Sequence, residues 1–170
     1  TAFRKSVKDR PEWSLALAML GDVLVRKQIA AAETGNTQES KRLSTEATES
    51  LSKAIELDAN NFPAYAALVD LQLHSASSNK MLIDTLVKLR GLTDGKMKVP
   101  ASIWSARAAL EYAVGDKALA RACLKNALAA DPKNTNAIKF AAELALTDSD
   151  TEQAAMYTDT LVKLAPNQIS

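Results

Sequence analysis

The sequence predicts an all-α protein of about four stacked helix pairs, and three observations carry that expectation. Residues recur at a spacing of 34: Ala120, Ala127 and Pro132 have counterparts in Ala154, Leu161 and Pro166, so blocks 101–134 and 135–168 run in one register without a gap. Inside a block the apolar positions advance by three and four, as Leu43, Ala47, Leu51, Ala54 and Ile55 do, which puts them on one helical face, and no comparable stretch alternates with period two. The five prolines, Pro11, Pro63, Pro100, Pro132 and Pro166, all fall at block junctions. Proline is tolerated in a first helical turn and breaks a helix interior, so it marks the same boundaries independently.

The elements follow in order. Residues 1–10 form a basic segment with Arg4, Lys5, Lys8 and Arg10, read as a solvated helix face or linker, with contact to an acidic surface as the alternative. A single repeat domain is expected over 11–168, with units at about 11–61, 62–100, 101–134 and 135–168. The first unit predicts helices over 11–32, carrying Leu17, Leu20, Gly21 and Leu24, and over 38–57, opened by a capping box of Asn36 and Glu39. Roughly fourteen extra residues separate its two apolar patterns; Ile29 to Glu33 favour continued helix and Thr34-Gly35-Asn36 a turn, so residues 28–40 should form a projecting arm. The second unit predicts helices over 63–75 and 79–89. Its Phe62, Tyr65, Leu68 and Val69 stand where Ala101, Trp104, Arg107 and Ala108 stand in the third, and its hexapeptide Asp84 to Leu89 recurs identically as Asp159 to Leu164. The third unit predicts helices over 101–114 and 117–130 around a Gly115-Asp116 turn, and the fourth over 136–146 and 151–164. Gly35, Gly91, Gly95 and Gly115 read as turn residues, while Gly21 lies inside a helix at a place of close helix approach. Each pair has one face too apolar to leave wet, so neighbours stack into a curved rod whose concave surface comes from the first helices.

A 34-residue unit of two short helices resembles the tetratricopeptide (TPR) repeat, and the resemblance runs in register from Pro11 to Gln168. It implies a right-handed superhelix and a protein-interaction scaffold that binds a partner segment in its concave groove. The alternative is a noncatalytic helical arm of a larger enzyme or export or assembly complex, whose partner is a neighbouring domain. TPR domains that hold acidic chaperone tails use a clamp of Lys, Asn and Arg on successive first helices. Here those slots hold Ala18 and Asp22, Ala66 and Asp70, then Ser105 and Ala109, so no such clamp is expected.

Composition narrows the function by exclusion. With 47% hydrophobic and 24% charged residues and a net charge of +1, the chain reads as one ordinary soluble domain with no electrostatically dictated partner. Lys and Arg are dispersed, so no nucleic-acid footprint is expected, and no stretch approaches the length of a membrane span. Starting at Thr1 and stopping two residues after a repeat ends, the chain is expected to be a piece of a longer polypeptide. The single cysteine leaves the redox compartment undecided.

His74 and Cys123 are the only residues of their kinds, so neither a His/Cys metal set nor a Cys-His or Ser-His couple can be assembled; no enzyme, metal or cofactor is expected. Asp148 and Asp150 read as helix caps rather than a catalytic carboxylate pair. The linker 90–100, with Gly91 and Gly95-Lys96, has the wrong spacing for a phosphate loop and reads as a connection whose basic residues are free to meet a ligand. His74 complements a helix C-terminus, Cys123 is a buried inert thiol, and Trp13, Tyr65 and Trp104 fill the seam between helices.

One pattern points to a binding surface. In the shared register, Asp22, Asp70 and Glu143 occupy one inward-facing slot of the first, second and fourth pairs, with Ala109 in the third, flanked by Arg26, His74, Tyr112 and Lys139. On one reading these carboxylates pair with neighbouring cations and only keep the groove wet. On the other, the groove prefers a peptide carrying Lys or Arg, with Tyr112 packed against its stem.

Overall fold

A computed structural model of the chain describes residues 12–75, 77–96 and 98–164. Pro11, Pro166 and the basic cluster Arg4, Lys5, Lys8 and Arg10 lie outside them. The described residues form eight α-helices and no strand: α1 (Ser14–Glu33), α2 (Thr37–Leu57), α3 (Phe62–His74), α4 (Asn79–Thr93), α5 (Ala101–Ala113), α6 (Lys117–Ala130), α7 (Thr135–Thr147) and α8 (Thr151–Leu164). Their contacts group into two compact units, Thr1–Leu89 and Arg90–Ser170.

In the first unit α1 packs against both α2 and α3, and α2 against α3. Leu24, Val25, Leu51, Leu71 and Leu86 are buried there. The closest approach is made by Gly21, where a Cβ atom would meet Leu51 Cδ2 at 2.4 Å and Cγ at 2.5 Å. A glycine inside a helix costs about 1 kcal/mol relative to alanine, and here it lets α1 and α2 meet without a side chain between them. Helix α4 is held to α3 by Gln72 Nε2 donating to Thr85 Oγ1 at 2.9 Å.

The extra residues of the first hairpin enter as helix. Helices α1 and α2 are 20 and 21 residues long, against 13 and 14 for α5 and α6. That is about 10 Å of added helix on each strand of the hairpin. Within this arm the buried Gln28 donates through Nε2 to Ser40 Oγ at 3.1 Å. The predicted capping box is half formed: Glu39 N–H donates to Asn36 Oδ1 at 3.2 Å, while the Glu39 carboxylate turns to Arg42 at 2.7 Å.

In the second unit α5 packs on α6, α7 on α8, and α7 on both α5 and α6. Ala108, Cys123, Leu124, Ala127, Ala137, Ala141 and Leu144 make one buried cluster, with Trp104, Tyr112 and Phe140 packed against it. Small residues dominate because helices separated by alanine can approach closely.

Two recurring turns set the register. Linkers 58–61 and 131–134 share one hydrogen-bond plan: Asp58 and Asp131 cap the preceding helix by donating N–H to Ala54 O and Ala127 O. Their side chains accept from Asn60 N–H at 2.9 Å and Lys133 N–H at 3.0 Å. Asn61 and Asn134 then cap the next helix, accepting from Ala64 N–H at 3.1 Å and Ala137 N–H at 2.9 Å. Inside the pairs, the turns at Gly35, Gly115 and Ser149 repeat one geometry, with φ of 74°, 96° and 60°. Ser149 therefore occupies a left-handed position that glycine fills in the other two, at a cost of roughly 1 kcal/mol for an L side chain. Ser149→Gly is expected to raise stability by about 0.5–1 kcal/mol. Urea denaturation checks this, and a lower midpoint for the variant would show that the serine is relaxed where it is.

Several expected details change. Helix α1 begins at Ser14, after Trp13 as N-cap; Trp13 is 45% exposed and not in the helix seam, where Leu17 stands instead. Helix α4 runs four residues beyond the predicted end, carrying Gly91 inside it, and the left-handed turn comes at Gly95 with φ of 68°. Asp150 caps α8 as expected, accepting from Gln153 N–H at 3.0 Å, whereas Asp148 ends α7 and pairs with Arg121.

Candidate functional site

The first helices of the four pairs start in one register, their N-caps being Trp13, Asn61, Pro100 and Asn134. Asp22, Asp70, Ala109 and Glu143 are accordingly each the ninth residue of their helix. In the first unit α1 and α3 pack together, which puts two like positions on one unit. Arg26 lies 3.1 Å from Asp22 Oδ2, and His74 Nδ1 lies 3.2 Å from Asp70 Oδ1 and 2.9 Å from the Asp70 carbonyl oxygen. Each carboxylate therefore has a cation or imidazole of its own helix one turn on. All four side chains are 45–75% exposed. Pairs so wetted contribute about 0–1 kcal/mol and exchange readily for another cation.

In the second unit Glu143 and Lys139 stand exposed on α7, one turn apart. Tyr112 has packing partners within the unit. Its half-buried ring meets Phe140 edge-on, with centroids 5.6 Å apart and planes at 87°, and Lys117 Nζ lies 6.0 Å from the ring centroid. The ring thus ties α5 to α7 as part of the packing.

The most deeply buried polar arrangement was not among the expected site residues. Glu111 is fully buried on α5 and receives Arg90 in a forked contact, Nε to Oε1 at 2.9 Å and an Nη to Oε2 at 2.5 Å. Arg107, 6% exposed, adds Nε to Glu111 Oε1 at 3.2 Å and donates to Thr93 Oγ1 at 2.6 Å and to the Asp94 carboxylate. Its guanidinium carbon lies 5.8 Å from the Trp104 ring centroid. Burial pulls the Arg107 guanidinium down and its hydrogen bonds to Asp94 and Glu111 more than restore it, so both arginines stay charged. Burial also pushes the nearby Cys123 thiol up to about 11, which keeps it protonated and unreactive at neutral pH. The signal in the sequence was positional: Arg107 and Glu111 fall in the slots that hold the buried Leu68 and Gln72 one pair earlier.

Among the described residues no group of three or more His, Cys, Asp or Glu is placed to hold a metal ion, and no helix is long and apolar enough to cross a membrane.

No protein-family model and no curated protein matches the sequence. Solved structures do match in shape. A thermophilic TPR protein of Thermus thermophilus is 19% identical, with a TM-score of 0.72 over 98% of this chain and 81% of that one. PilW, described as a widely conserved type IV pilus biogenesis factor, is 15% identical, with a TM-score of 0.63 over 96% of this chain and 67% of its own. YrrB, described as a TPR protein with an unusual peptide-binding site, is 15% identical, with a TM-score of 0.51 over 99% and 77%. At these identities the likeness is one of fold, and the fold is that of a TPR-like helical repeat.

Proposed function

We propose that the chain is a noncatalytic protein-interaction scaffold that takes a partner segment carrying Lys or Arg on the exposed faces of its first helices. The observation that supports this best is the repetition of Asp22 and Asp70 at one helical position of two packed helices, each accessible and each held only by an exchangeable neighbour. A partner's ammonium or guanidinium replaces Arg26 or His74 on the carboxylate. Leu15, Met19 and Leu73, each 40–46% exposed in the same unit, supply apolar contact area. Glu143 and Lys139 offer a related charged pair on the second unit. The peptide-binding site of YrrB, on a comparable fold, agrees with a segment rather than a folded domain as partner. His74 and Cys123 argue against chemistry: the imidazole rests on Asp70 in solvent and the thiol is buried and protonated.

Charge complementarity of this kind acts mainly on association rate and selectivity and fades with added salt. A random peptide library selected on the full chain should therefore enrich Lys and Arg. The double variant Asp70→Lys, Glu143→Lys should bind the selected peptides about tenfold or more weakly at low salt with its helicity unchanged. Enrichment without basic residues, or equal binding by the variant, would remove these faces as the recognition surface.

A further inference from the structure

We infer that the second unit carries a separate ligand site, a cleft between the α4–α5 linker and the C-terminal half of α6 that takes an apolar or aromatic monocarboxylate. The linker 94–100 is seven residues long where the other two junctions, 58–61 and 131–134, are four. The register of the repeat does not need the added length. Its start is nonetheless pinned: Arg107 holds Thr93 and Asp94, and Glu111 holds Arg90 just before them. A pair as deeply buried as Arg107 and Glu111 contributes little net stability, and its best-attested role is to fix a geometry. The part of the wall at Thr93 and Asp94 is thereby preorganised.

Against that wall lies an open cleft of about 450 Å³, within the ordinary size of small-ligand sites. Val99, Trp104, Ala129 and Ala130 give it an apolar lining, and Lys96 and Asn126 a polar one. The charge preference follows from which groups are already engaged. Asp94 also lines the cleft but receives Arg107, and the Trp104 ring already has the Arg107 guanidinium beside it, so the groups that would attract a cation are served from within. Among the described residues the side chains of Lys96 and Asn126 make no hydrogen bond or ion pair, which leaves an ammonium and an amide N–H as donors for a carboxylate. The last-turn carbonyls of α6 at Ala129 and Ala130 carry the negative end of that helix. They disfavour a second anionic group at that end. The same chemistry is presented by a free aromatic acid and by the C-terminal residue of a peptide.

The chain has two tryptophans, so Trp13→Phe leaves Trp104 as the only indole reporter. This variant is titrated with 3-phenylpropionate, its amide, and a Phe-terminated tetrapeptide with free or amidated C-terminus. Trp104 emission should change saturably with the free carboxylates and not with the amides. In a Lys96→Glu background the half-saturation point should move about tenfold or more, while Lys125→Glu, on the same unit outside the cleft, should leave it in place. Tighter binding of the acid marks a small-molecule site, and tighter binding of the peptide a chain-terminus site. The inference is overturned by no saturable change with either carboxylate, an equal response to the amides, or an undisturbed titration in Lys96→Glu. None of these outcomes touches the first-helix surface proposed above.

Discussion

Glu111→Ala is expected to lower folding stability by about 3–5 kcal/mol, the usual cost of removing one partner from a buried ion pair. Arg90 and Arg107 both donate to Glu111, and Arg107 is almost fully buried; once the Glu111 carboxylate is gone its guanidinium keeps Thr93 and Asp94, while its Nε is left in the interior without that acceptor. Glu111→Gln should fall between the variant and the parent, since an amide oxygen still accepts a hydrogen bond but brings no charge. Replacing the pair together, as Arg107→Met with Glu111→Leu, should cost less than Glu111→Ala alone, because two groups of similar bulk then fill the space without desolvated charge. Urea unfolding followed by circular dichroism measures all three. A Glu111→Ala loss under about 1 kcal/mol, the range of exposed pairs, would mean that water reaches the network and that it does not fix the linker.

The second large effect is at Gly21. Alanine there gains about 1 kcal/mol of helix propensity, yet its methyl group would sit 2.4 Å from Leu51 Cδ2 in a region where Leu51 is wholly buried. Overpacking of this kind costs about 1–3 kcal/mol, so Gly21→Ala should destabilise the first unit despite the propensity gain. The diagnostic is coupling. In a Leu51→Ala background, itself costing about 2–5 kcal/mol, the added methyl meets open space and should become neutral or favourable. If Gly21→Ala is equally harmful with and without Leu51, the clash lies elsewhere and Gly21 serves some purpose other than helix approach.

Local signals carried most of the fold. The spacing of 34 residues, the proline placement and the three-and-four apolar step located every helix among the described residues, because the last two depend on neighbours within about a turn and the first repeats them along the chain. Helix ends were missed where a distant partner decides. Gly91 stays helical because the turn on either side of it is anchored, Arg90 to Glu111 and Thr93 to Arg107, and nothing in residues 79–93 announces contacts with a helix 14 or more residues later. Arg107 and Glu111 stand at an i, i+4 spacing that by itself does not separate an interior pair from a solvated one. Only their slots, filled by Leu68 and Gln72 one pair earlier, mark them as interior. The pairing of Asp22 with Arg26 and Asp70 with His74 was legible because it lies within one turn. The packing of Tyr112 on Phe140 was not legible, because that partner comes from another helix.

The linkers 58–61 and 131–134 have a consequence for how such a chain changes over generations. Each is closed by its own aspartate and asparagine: the backbone and capping bonds reach no further than four residues to either side, and the asparagine alone reaches further, Asn61 Nδ2 donating to Ser14 Oγ at 3.0 Å and Asn134 Oδ1 accepting from Ser105 Oγ at 3.5 Å. A crossover that joined the chain before Asp58 to the chain from Asp131 would therefore rebuild the joint's backbone and capping bonds from one half of each copy. The gene can lose or gain whole blocks at these points while the reading of the joint, helix end to helix start, is preserved. The linker 94–100 has no such independence. It leans on Arg107 and Glu111 further along the chain, and a cut there separates it from the residues that hold it. Copy number should thus drift at the two joints whose caps are local and be conserved across the third.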